Sequence, residues 1–262
     1  MKDLIKERTV YYGDIPDSFT ALASCDSDYL YMHAPALVAS CALSDNKLHL
    51  HVINASQRDW AFMQKLRLCA QKLSGKVNMT LSSEDTDLST LSKEEARTYY
   101  ACNRFLVAQH LLELGSASMF ISDVDSLFMR HVDEPDADIG LFLRDPLPGV
   151  TGWEAEGTRI AAGAVYYNKN RAKVFAAEVS NIIMLGQLRW FLDQYALSTS
   201  YRKHEHSIKL HKYTDKFMDW EFFTGTNIWT GKGPRKYDNI KYVHKKKEFE
   251  NMLPSLESVI WK

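Results

Sequence analysis

Two acids stand one residue apart in the stretch that decides the fold, Ile121-Ser122-Asp123-Val124-Asp125-Ser126-Leu127-Phe128. It follows a long helical pattern that ends at Gly115, and it begins as an apolar strand. In an extended strand, side chains at positions i and i+2 lie on the same side, so both carboxylates can reach one ion, directly or through water. Hard divalent cations prefer oxygen ligands, phosphate oxygens included. The stretch therefore indicates a metal and a phosphorylated ligand; the alternative is a turn after a strand, where Asp is common.

Strand and helix patterns alternate on the N-terminal side of this stretch. Ser92 is placed to cap the helix before it, with two glutamates in the first turn, where the helix dipole favours acids. A β-α-β-α-β-α-β order predicts a mainly parallel sheet flanked by helices, whose ligands bind outside the carboxyl ends of the strands. Asp26, Asp123 and Asp125 lie at such ends. The strand patterns cover 19–25, 47–53 (half-buried by its alternation), 76–81 and 117–122, and the helices cover 34–43, 58–73 and 93–114, with a loop at 84–92.

The second half of the chain is less regular. We expect one domain, with a nucleotide-binding half at 19–130, a sugar and acceptor half at 131–240 and a C-terminal tail or helix at 241–262. The patterns predict strands at 138–143 and 159–168, a loop at 144–158, helices at 170–185 and 189–200, and loops with short strands over 202–236.

Composition excludes some classes of protein. The 262 residues contain 32 bases and 33 acids, and this near-zero net charge argues against a protein that is drawn to nucleic acid by bulk attraction. Four dispersed cysteines without a C-x-x-C pair are typical of a reduced, cytosolic protein. Neither a signal peptide nor an apolar run of about 20 residues is evident. We expect a soluble, cytoplasmic protein, with peripheral contact to a membrane left open.

Four segments, taken together and in this order, resemble the GT-A nucleotide-sugar glycosyltransferases. The likeness is closest to the retaining family that contains glycogenin and the bacterial lipopolysaccharide galactosyltransferases, and it covers roughly residues 19–236. The segments are Ser24-Cys25-Asp26-Ser27-Asp28-Tyr29 with His51-Val52-Ile53-Asn54-Ala55; Tyr100-Ala101-Cys102-Asn103-Arg104-Phe105-Leu106; Phe120-Ile121-Ser122-Asp123-Val124-Asp125; and Ala162-Gly163-Ala164-Val165-Tyr166-Tyr167-Asn168 with Trp190-Phe191-Leu192-Asp193-Gln194-Tyr195-Ala196-Leu197.

This resemblance implies a UDP-sugar donor, a carbohydrate or glycoconjugate acceptor and transfer with retention. It implies Mn²⁺ or Mg²⁺ on Asp123 and Asp125, which acts as a Lewis acid on the leaving diphosphate. Asp193 and Gln194 are the catalytic candidates beneath the sugar: Asp193 binds hydroxyls of the donor, and Gln194 stabilises the oxocarbenium-like charge. The implied donor-binding residues are Ser24, Cys25, Asp26, Arg104, Asp123, Val124, Gly163, Lys232, Gly233 and Lys236.

The C-terminal half departs from the family pattern. The family's His-x-x-Gly-x-x-Lys motif keeps its Gly-x-x-Lys part here as Gly233 and Lys236, but Thr230 stands where the histidine would be the third metal ligand. His211 and His244 do not occupy that position. This departure predicts a metal site that is either looser or completed by water and phosphate.

Several residues keep a second interpretation. Asp26 can accept from a uracil ring or cap the following helix, Arg104 can bind the donor or form a surface ion pair, and Asp193 can be a helix cap. An inverting enzyme needs a general base on the acceptor, and a retaining one needs a nucleophile or front-face attack. The candidate bases are Asp145, Glu154, Asp219 and Glu221. A set of aromatic residues forms either a platform for the acceptor or part of the hydrophobic core: Trp153, Trp220, Phe222, Phe223 and Trp229.

Two other functions compete with glycosyl transfer. A sugar nucleotidyltransferase carries a glycine-rich loop after the first strand, whereas Cys25-Asp26-Ser27-Asp28 stands there without a glycine. A non-catalytic nucleotide- or anion-binding module of the same fold has no need of intact acids at 123 and 125. Both features favour the transferase.

Overall fold

The computed structural model describes residues 9–12, 14–76, 78–145 and 148–254. The strands in these ranges are β1 (Thr9–Tyr12), β2 (Thr20–Cys25), β3 (Leu48–Ile53), β4 (Met79–Asp85), β5 (Met119–Ser122), β6 (Ser126–Phe128), β7 (Ile139–Leu143), β8 (Ile160–Tyr167), β9 (Leu210–Tyr213), β10 (Met218–Asp219) and β11 (Ile228–Thr230). The helices are α1 (Ser27–Leu43), α2 (Gln57–Ser74), α3 (Lys93–Glu113), α4 (Gly152–Thr158), α5 (Lys173–Leu185), α6 (Leu192–His204), α7 (Arg235–Asp238) and α8 (Ile240–Met252).

Eight strands form the central sheet in the order β1-β4-β3-β2-β5-β8-β7-β9. β2, β3, β4 and β5 pair in parallel, and β8 joins β5 in the antiparallel sense. The chain runs from β2 to one side through β3 and β4, and then returns to place β5 on the other side. A crevice forms outside the carboxyl ends of the strands at such a reversal, and ligands of open α/β sheets bind there. The predicted α/β fold with a mostly parallel central sheet is confirmed.

Helices cover both faces of this sheet. Leu37 of α1 and Met63 of α2 are buried in one hydrophobic cluster against it. Phe105 of α3, Val179 of α5 and Leu197 of α6 are buried in a second cluster on the opposite face. Burying a large apolar side chain stabilises by about 1.5–3 kcal/mol relative to exposure, so each face holds its helices by many such contacts. The sheet is therefore the middle of three layers.

Local sequence fixes the helix starts. Ser92 accepts from Glu95 N, while Glu95 returns a carboxylate to the Ser92 N–H, which confirms the predicted cap of α3. Ser56 and Asp59 make the same capping box at the start of α2. Asp26 accepts from Tyr29 N and caps α1. α1 and α2 therefore start within four residues of the carboxyl ends of β2 and β3, whereas a longer connection joins β4 to α3.

A second, three-stranded sheet lies beside the Asp-x-Asp stretch. β11 pairs with β6 in the antiparallel sense and with β10 in parallel. Phe222, Trp229 and Tyr242 form a buried cluster that joins this sheet to α8, and α8 packs against α1. Because β6 follows the acids directly, the C-terminal segment is brought against them.

Several boundaries differ from the predictions. α1 begins at Ser27 instead of residue 34, because Asp26 caps it. β3 is buried throughout instead of half-buried, since His49 bonds to Thr80 and Ser82 of β4. Residues 152–158 are helical where a loop was predicted, and β4 extends to Asp85 into the predicted loop. Residues 255–262 of the predicted tail or helix lie outside the described residues.

Within the described ranges, the search for a helix both long and apolar enough to cross a membrane finds none.

Candidate functional site

The two acids of the Asp-x-Asp stretch lie in the turn between β5 and β6, at the reversal point of the sheet. As the strand pattern over 117–122 predicts, the acids come after the strand, and Ser126 N donates to Asp123 O over 3.1 Å, which closes the chain into a turn. Asp123 Oδ1 lies 2.7 Å from Arg104 Nη1, and Asp125 Oδ2 lies 2.6 Å from Lys236 Nζ. Each carboxylate is thus paired with its own cation.

Arg104 joins two acids that are 70 residues apart in the sequence. Its buried guanidinium bonds to Asp123 through Nη1 and to Asp193 through Nη2, at 2.7 Å and 3.0 Å. Burial lowers the pKa of Arg104, but the two aspartates outweigh it and the net shift is upward. The surface ion pair considered for Arg104 is therefore excluded by its burial, whereas its contact with a donor stays a prediction.

The backbone of Asp125 is held by the C-terminal segment. Its carbonyl oxygen accepts from the Tyr242 hydroxyl at 2.6 Å and from Gly231 N at 3.2 Å. Burial raises the pKa of the Asp125 carboxyl, and the ammonium of Lys236 opposes that shift. The pKa of Lys236 is itself raised, since burial is outweighed by the adjacent carboxylate and by a 3.0 Å bond to the Tyr29 hydroxyl. We therefore describe the Asp125–Lys236 contact as an ion pair.

Asp193 and Gln194 open helix α6 on the far side of Arg104. Asp193 is buried; its Oδ2 accepts from Arg104 and its Oδ1 from Gln194 N at 2.8 Å, and burial raises the pKa of its carboxyl. Gln194 is half-buried, and its Oε1 accepts from Arg144 Nη2 at 2.6 Å. Arg144 was not singled out in the sequence, because a lone arginine after a strand carries no spacing signal.

Gly163 provides space for the first acid of the turn. A Cβ atom at this position of β8 would lie 2.4 Å from Asp123 Oδ2, closer than such atoms approach in folded proteins. Val124 points away into the hydrophobic core. The predicted contacts of Gly163 and Val124 with a donor would therefore have to come from their backbone atoms.

The predicted base pocket lies at the end of β2. Ser24 Oγ donates to Asn103 Oδ1 at 2.7 Å, and both residues are buried. Cys25 is buried too, and burial raises the pKa of its thiol well above the usual value. Asp26 acts as the helix cap, and burial raises the pKa of its carboxyl. The capping role is observed, and contact with a uracil stays a prediction.

The basic segment after β11 curls over the turn. Lys232 Nζ lies 4.6 Å from the ring centre of Trp220, and burial together with Arg144 and Arg235 lowers the pKa of this lysine. Gly233 has φ +58°, a left-handed conformation that favours glycine at this bend. Arg235 forms an ion pair with Glu221 at 2.8 Å. Lys232 and Lys236 therefore face the site, whereas Arg235 is bound to a neighbouring acid.

The candidate bases and aromatics are divided between the site and the core. Asp219 accepts from the backbone N–H groups of Glu221 and Phe223, which gives it a role in holding its own loop. Phe222 and Trp229 belong to the core cluster under α8, so they cannot form an acceptor platform. Phe223 is 62% exposed, and the remaining members, Trp220, Trp153, Asp145 and Glu154, lie partly or fully at the surface.

The donor set restricts which metal this site can hold. A search of the described residues finds no group of three His, Cys, Asp or Glu side chains placed to bind one ion. Two aspartates on one turn nevertheless fit a cation that keeps water and substrate phosphates as its other ligands, as Mg²⁺ commonly does. Asp123 and Asp125 would hold that ion, and Thr230, part of strand β11, adds no carboxylate or imidazole.

No family model matches this sequence, and no curated protein is detectably similar to it in sequence. Among solved structures, the fold is similar to WbbM, a bifunctional glycosyltransferase, with a TM-score of 0.59 and 12% identity over 92% of this chain and 50% of that one. It is also similar to the glycosyltransferase GlyE of Streptococcus pneumoniae TIGR4, with a TM-score of 0.54 and 11% identity over 95% of this chain and 67% of that one.

The chain thus spans about half the length of WbbM and two thirds of GlyE. At these identities the likeness concerns the fold alone, and the predicted kinship with the glycogenin family stays a prediction. The chain has the fold of the glycosyltransferases WbbM and GlyE.

Proposed function

We propose that this protein is a metal-dependent glycosyltransferase, which moves a sugar from a UDP-sugar to a glycan, glycolipid or protein acceptor with retention. The observation that carries the proposal is the pair of acids at the reversal point of the sheet, with Arg104 behind one and Lys236 beside the other. A fold shared with two glycosyltransferases supports it.

The chain's own cations suit a leaving diphosphate. Lys236 and Lys232 come from one glycine-containing segment; Lys236 Nζ is held by the Tyr29 hydroxyl at 3.0 Å, and Lys232 Nζ lies 4.6 Å from the ring centre of Trp220. Arg104 holds Asp123 and Asp193 in fixed positions, so the turn and the start of α6 keep a constant separation. Preorganised charge of this kind stabilises a transition state without reorganisation at the moment of reaction.

A divalent cation on Asp123 and Asp125 would supply the positive charge that neutralises the departing UDP. Mn²⁺ and Mg²⁺ both accept an all-oxygen ligand set. We include either ion in the proposal.

Retention is supported by the engagement of two of the four candidate bases in other contacts. Inversion needs a carboxylate free to take the acceptor proton. Asp219 is engaged by two backbone N–H groups, and Glu221 is paired with Arg235. Asp145 and Glu154 remain as candidates, and the anomeric configuration of the product, read by NMR, decides between the two outcomes.

The first experiment is titration calorimetry of UDP with and without Mn²⁺. We expect binding that requires the metal and is lost in Asp125→Ala. Asp133→Ala is the matched control, because Asp133 is exposed and lies 3.7 Å from His131, away from the acidic turn. Equal binding by the Asp125 variant would show that the acids are not the metal site.

A panel of UDP-sugars, followed by hydrolysis or transfer, then identifies the donor. Release of pyrophosphate from a nucleoside triphosphate would instead support a nucleotidyltransferase. Absence of nucleotide binding with any divalent metal would leave a non-catalytic module of this fold as the better account. Four free and buried cysteines support our further proposal that the protein works in the cytoplasm.

A further inference from the structure

A second arginine, Arg144, contacts the predicted catalytic pair at Gln194, whereas Arg104 contacts it at Asp193. It follows strand β7, and its backbone N–H donates to Arg159 O at 2.7 Å. Its Nη2 donates to Gln194 Oε1 at 2.6 Å and to Ile160 O at 3.2 Å. The backbone of Arg144 and its guanidinium are therefore both held by hydrogen bonds.

The bonding partners of Arg144 are neutral. Over the described part of the chain, the guanidinium of Arg144 forms no ion pair with a carboxylate, and its buried Nε has no hydrogen-bond partner. Burial lowers the pKa of Arg144, which the charge of Asp193 partly offsets. Burying a cation without a paired acid costs free energy of folding. The position of this arginine beside Gln194 therefore indicates a role there.

The guanidinium also decides which way the amide of Gln194 faces. Arginine has five N–H donors and no acceptor, so only the carbonyl oxygen of the amide can face it. The two N–H donors of Nε2 then point away from Arg144. A hydrogen bond from a cation further reduces the electron density that this oxygen can offer to another positive centre.

We propose that Arg144 is a positioning residue that holds Gln194 as a hydrogen-bond donor toward an oxygen of the bound sugar. This inference rests on the proposed function and changes one part of its chemistry. With its oxygen engaged by Arg144, Gln194 does not supply lone pairs to a developing cation at the sugar carbon. Gln194 orients a hydroxyl or ring oxygen instead, and Arg144 acts through it.

Replacing the amide by a carboxylate separates the two roles. Gln194→Glu keeps the size and the oxygen that faces Arg144 but removes both N–H donors. We expect kcat to fall roughly 10- to 100-fold, as for a lost hydrogen bond made in the transition state, and to the same extent as in Gln194→Met. Activity of Gln194→Glu equal to or above that of the natural chain would overturn the inference.

Variants of Arg144 test the positioning. Arg144→Met should lower kcat to a similar extent with KM changed less than about twofold, and Arg144→Lys should recover part of the loss. In a Gln194→Met background, Arg144→Met should have little further effect. Independent, multiplicative losses would show that Arg144 does not act through Gln194. Arg171→Met is the matched control, because that arginine pairs with Asp136 and Asp138, outside the site.

Thermal unfolding tests the contact without any turnover. Gln194→Glu should raise the melting temperature while Arg144 is present and lower it in Arg144→Met, because a carboxylate gains only from a facing cation. The same shift in both backgrounds would overturn the proposed orientation of Gln194. If the natural chain turns over no UDP-sugar while this dependence is found, the proposed function fails and the Arg144–Gln194 contact stands.

Discussion

Adding one methyl group at Gly163 should disturb the acidic turn directly. The new Cβ would lie 2.4 Å from Asp123 Oδ2, whereas ordinary contact begins at 3.4 Å. One of the two atoms must therefore move by about 1 Å. Gly163 lies where the β7–β8 register shifts, but pairing holds β8 on either side of it, at Ala161 to β7 and at Ala164 to β5, so we expect the carboxylate of Asp123 to be the group that yields.

That movement breaks a short ion pair. Asp123 Oδ1 lies 2.7 Å from Arg104 Nη1, and a displacement of about 1 Å takes it beyond hydrogen-bond distance. A hydrogen bond between charged groups contributes about 1.5–3 kcal/mol. Replacing Gly by Ala reduces the entropy of the unfolded chain and returns about 0.4–1 kcal/mol. We expect Gly163→Ala to lower the free energy of unfolding by about 1–2 kcal/mol, and metal-dependent affinity for UDP by at least about tenfold.

The assay is urea unfolding of Gly163→Ala, Asp123→Ala and the double variant. In the Asp123→Ala background the added methyl meets no carboxylate, and its next neighbour, Met218 Sδ at 3.7 Å, is at ordinary contact distance. The same substitution should then be neutral or stabilising by up to about 1 kcal/mol. A loss of equal size in both backgrounds would refute the reasoning and place the clash elsewhere.

Three further predictions concern the ion pair, a buried histidine and the C-terminal helix. Lys236→Met leaves Asp125 buried and unpaired, so it should lower the free energy of unfolding, measured in urea with a chelator present, by about 3–5 kcal/mol. Adding Asp125→Asn should restore part of that stability, and a double variant no more stable than Lys236→Met would contradict the prediction. Burial lowers the pKa of His49 from 6.5 to about 3, so the unfolded chain binds more protons between these values and stability falls as pH drops through that window. At pH 5 the loss of stability from His49 amounts to roughly 2 kcal/mol, and His49→Gln should remove that part of the pH dependence of the free energy of unfolding. An unchanged pH dependence argues against a neutral buried ring. Tyr242→Phe removes the 2.6 Å bond to Asp125 O and should cost about 1 kcal/mol with weaker binding of UDP and Mn²⁺, whereas unchanged affinity would show that the turn does not depend on the helix.

The layered fold could be predicted because its signals are local. β2 and β5 are short, mainly apolar runs, β3 alternates apolar and polar residues, and the helices that follow the parallel strands begin at caps such as Ser92 and Asp26. These signals act over three or four residues, so one sequence is enough to find them. The carboxyl ends of β2 and β5 then bring Asp26 and Asp123 to one edge of the sheet.

The contacts between site residues could not be predicted in the same way. Arg144 meets Gln194 across 50 residues, and Lys236 meets Asp125 across 111. No periodicity in the sequence specifies such pairs, because they depend on how two elements are placed in the finished fold. The roles of Phe222 and Trp229 could not be predicted either, because an aromatic side chain fits a sugar platform as well as a core. In the folded protein the three-stranded sheet and α8 bury both residues.

The bond between Tyr242 and the carbonyl of Asp125 spans 117 residues, and this spacing has a consequence for biosynthesis. At translation rates of about 5–20 residues per second, the acidic turn waits roughly 6–23 s for the helix that completes it. During that interval the β-α repeat can already fold on the ribosome, while the two acids have neither Lys236 nor the hydroxyl beside them. A nascent chain stalled before Tyr242 should therefore hold a folded sheet and bind UDP weakly, and nucleotide affinity should appear only when α8 leaves the exit tunnel.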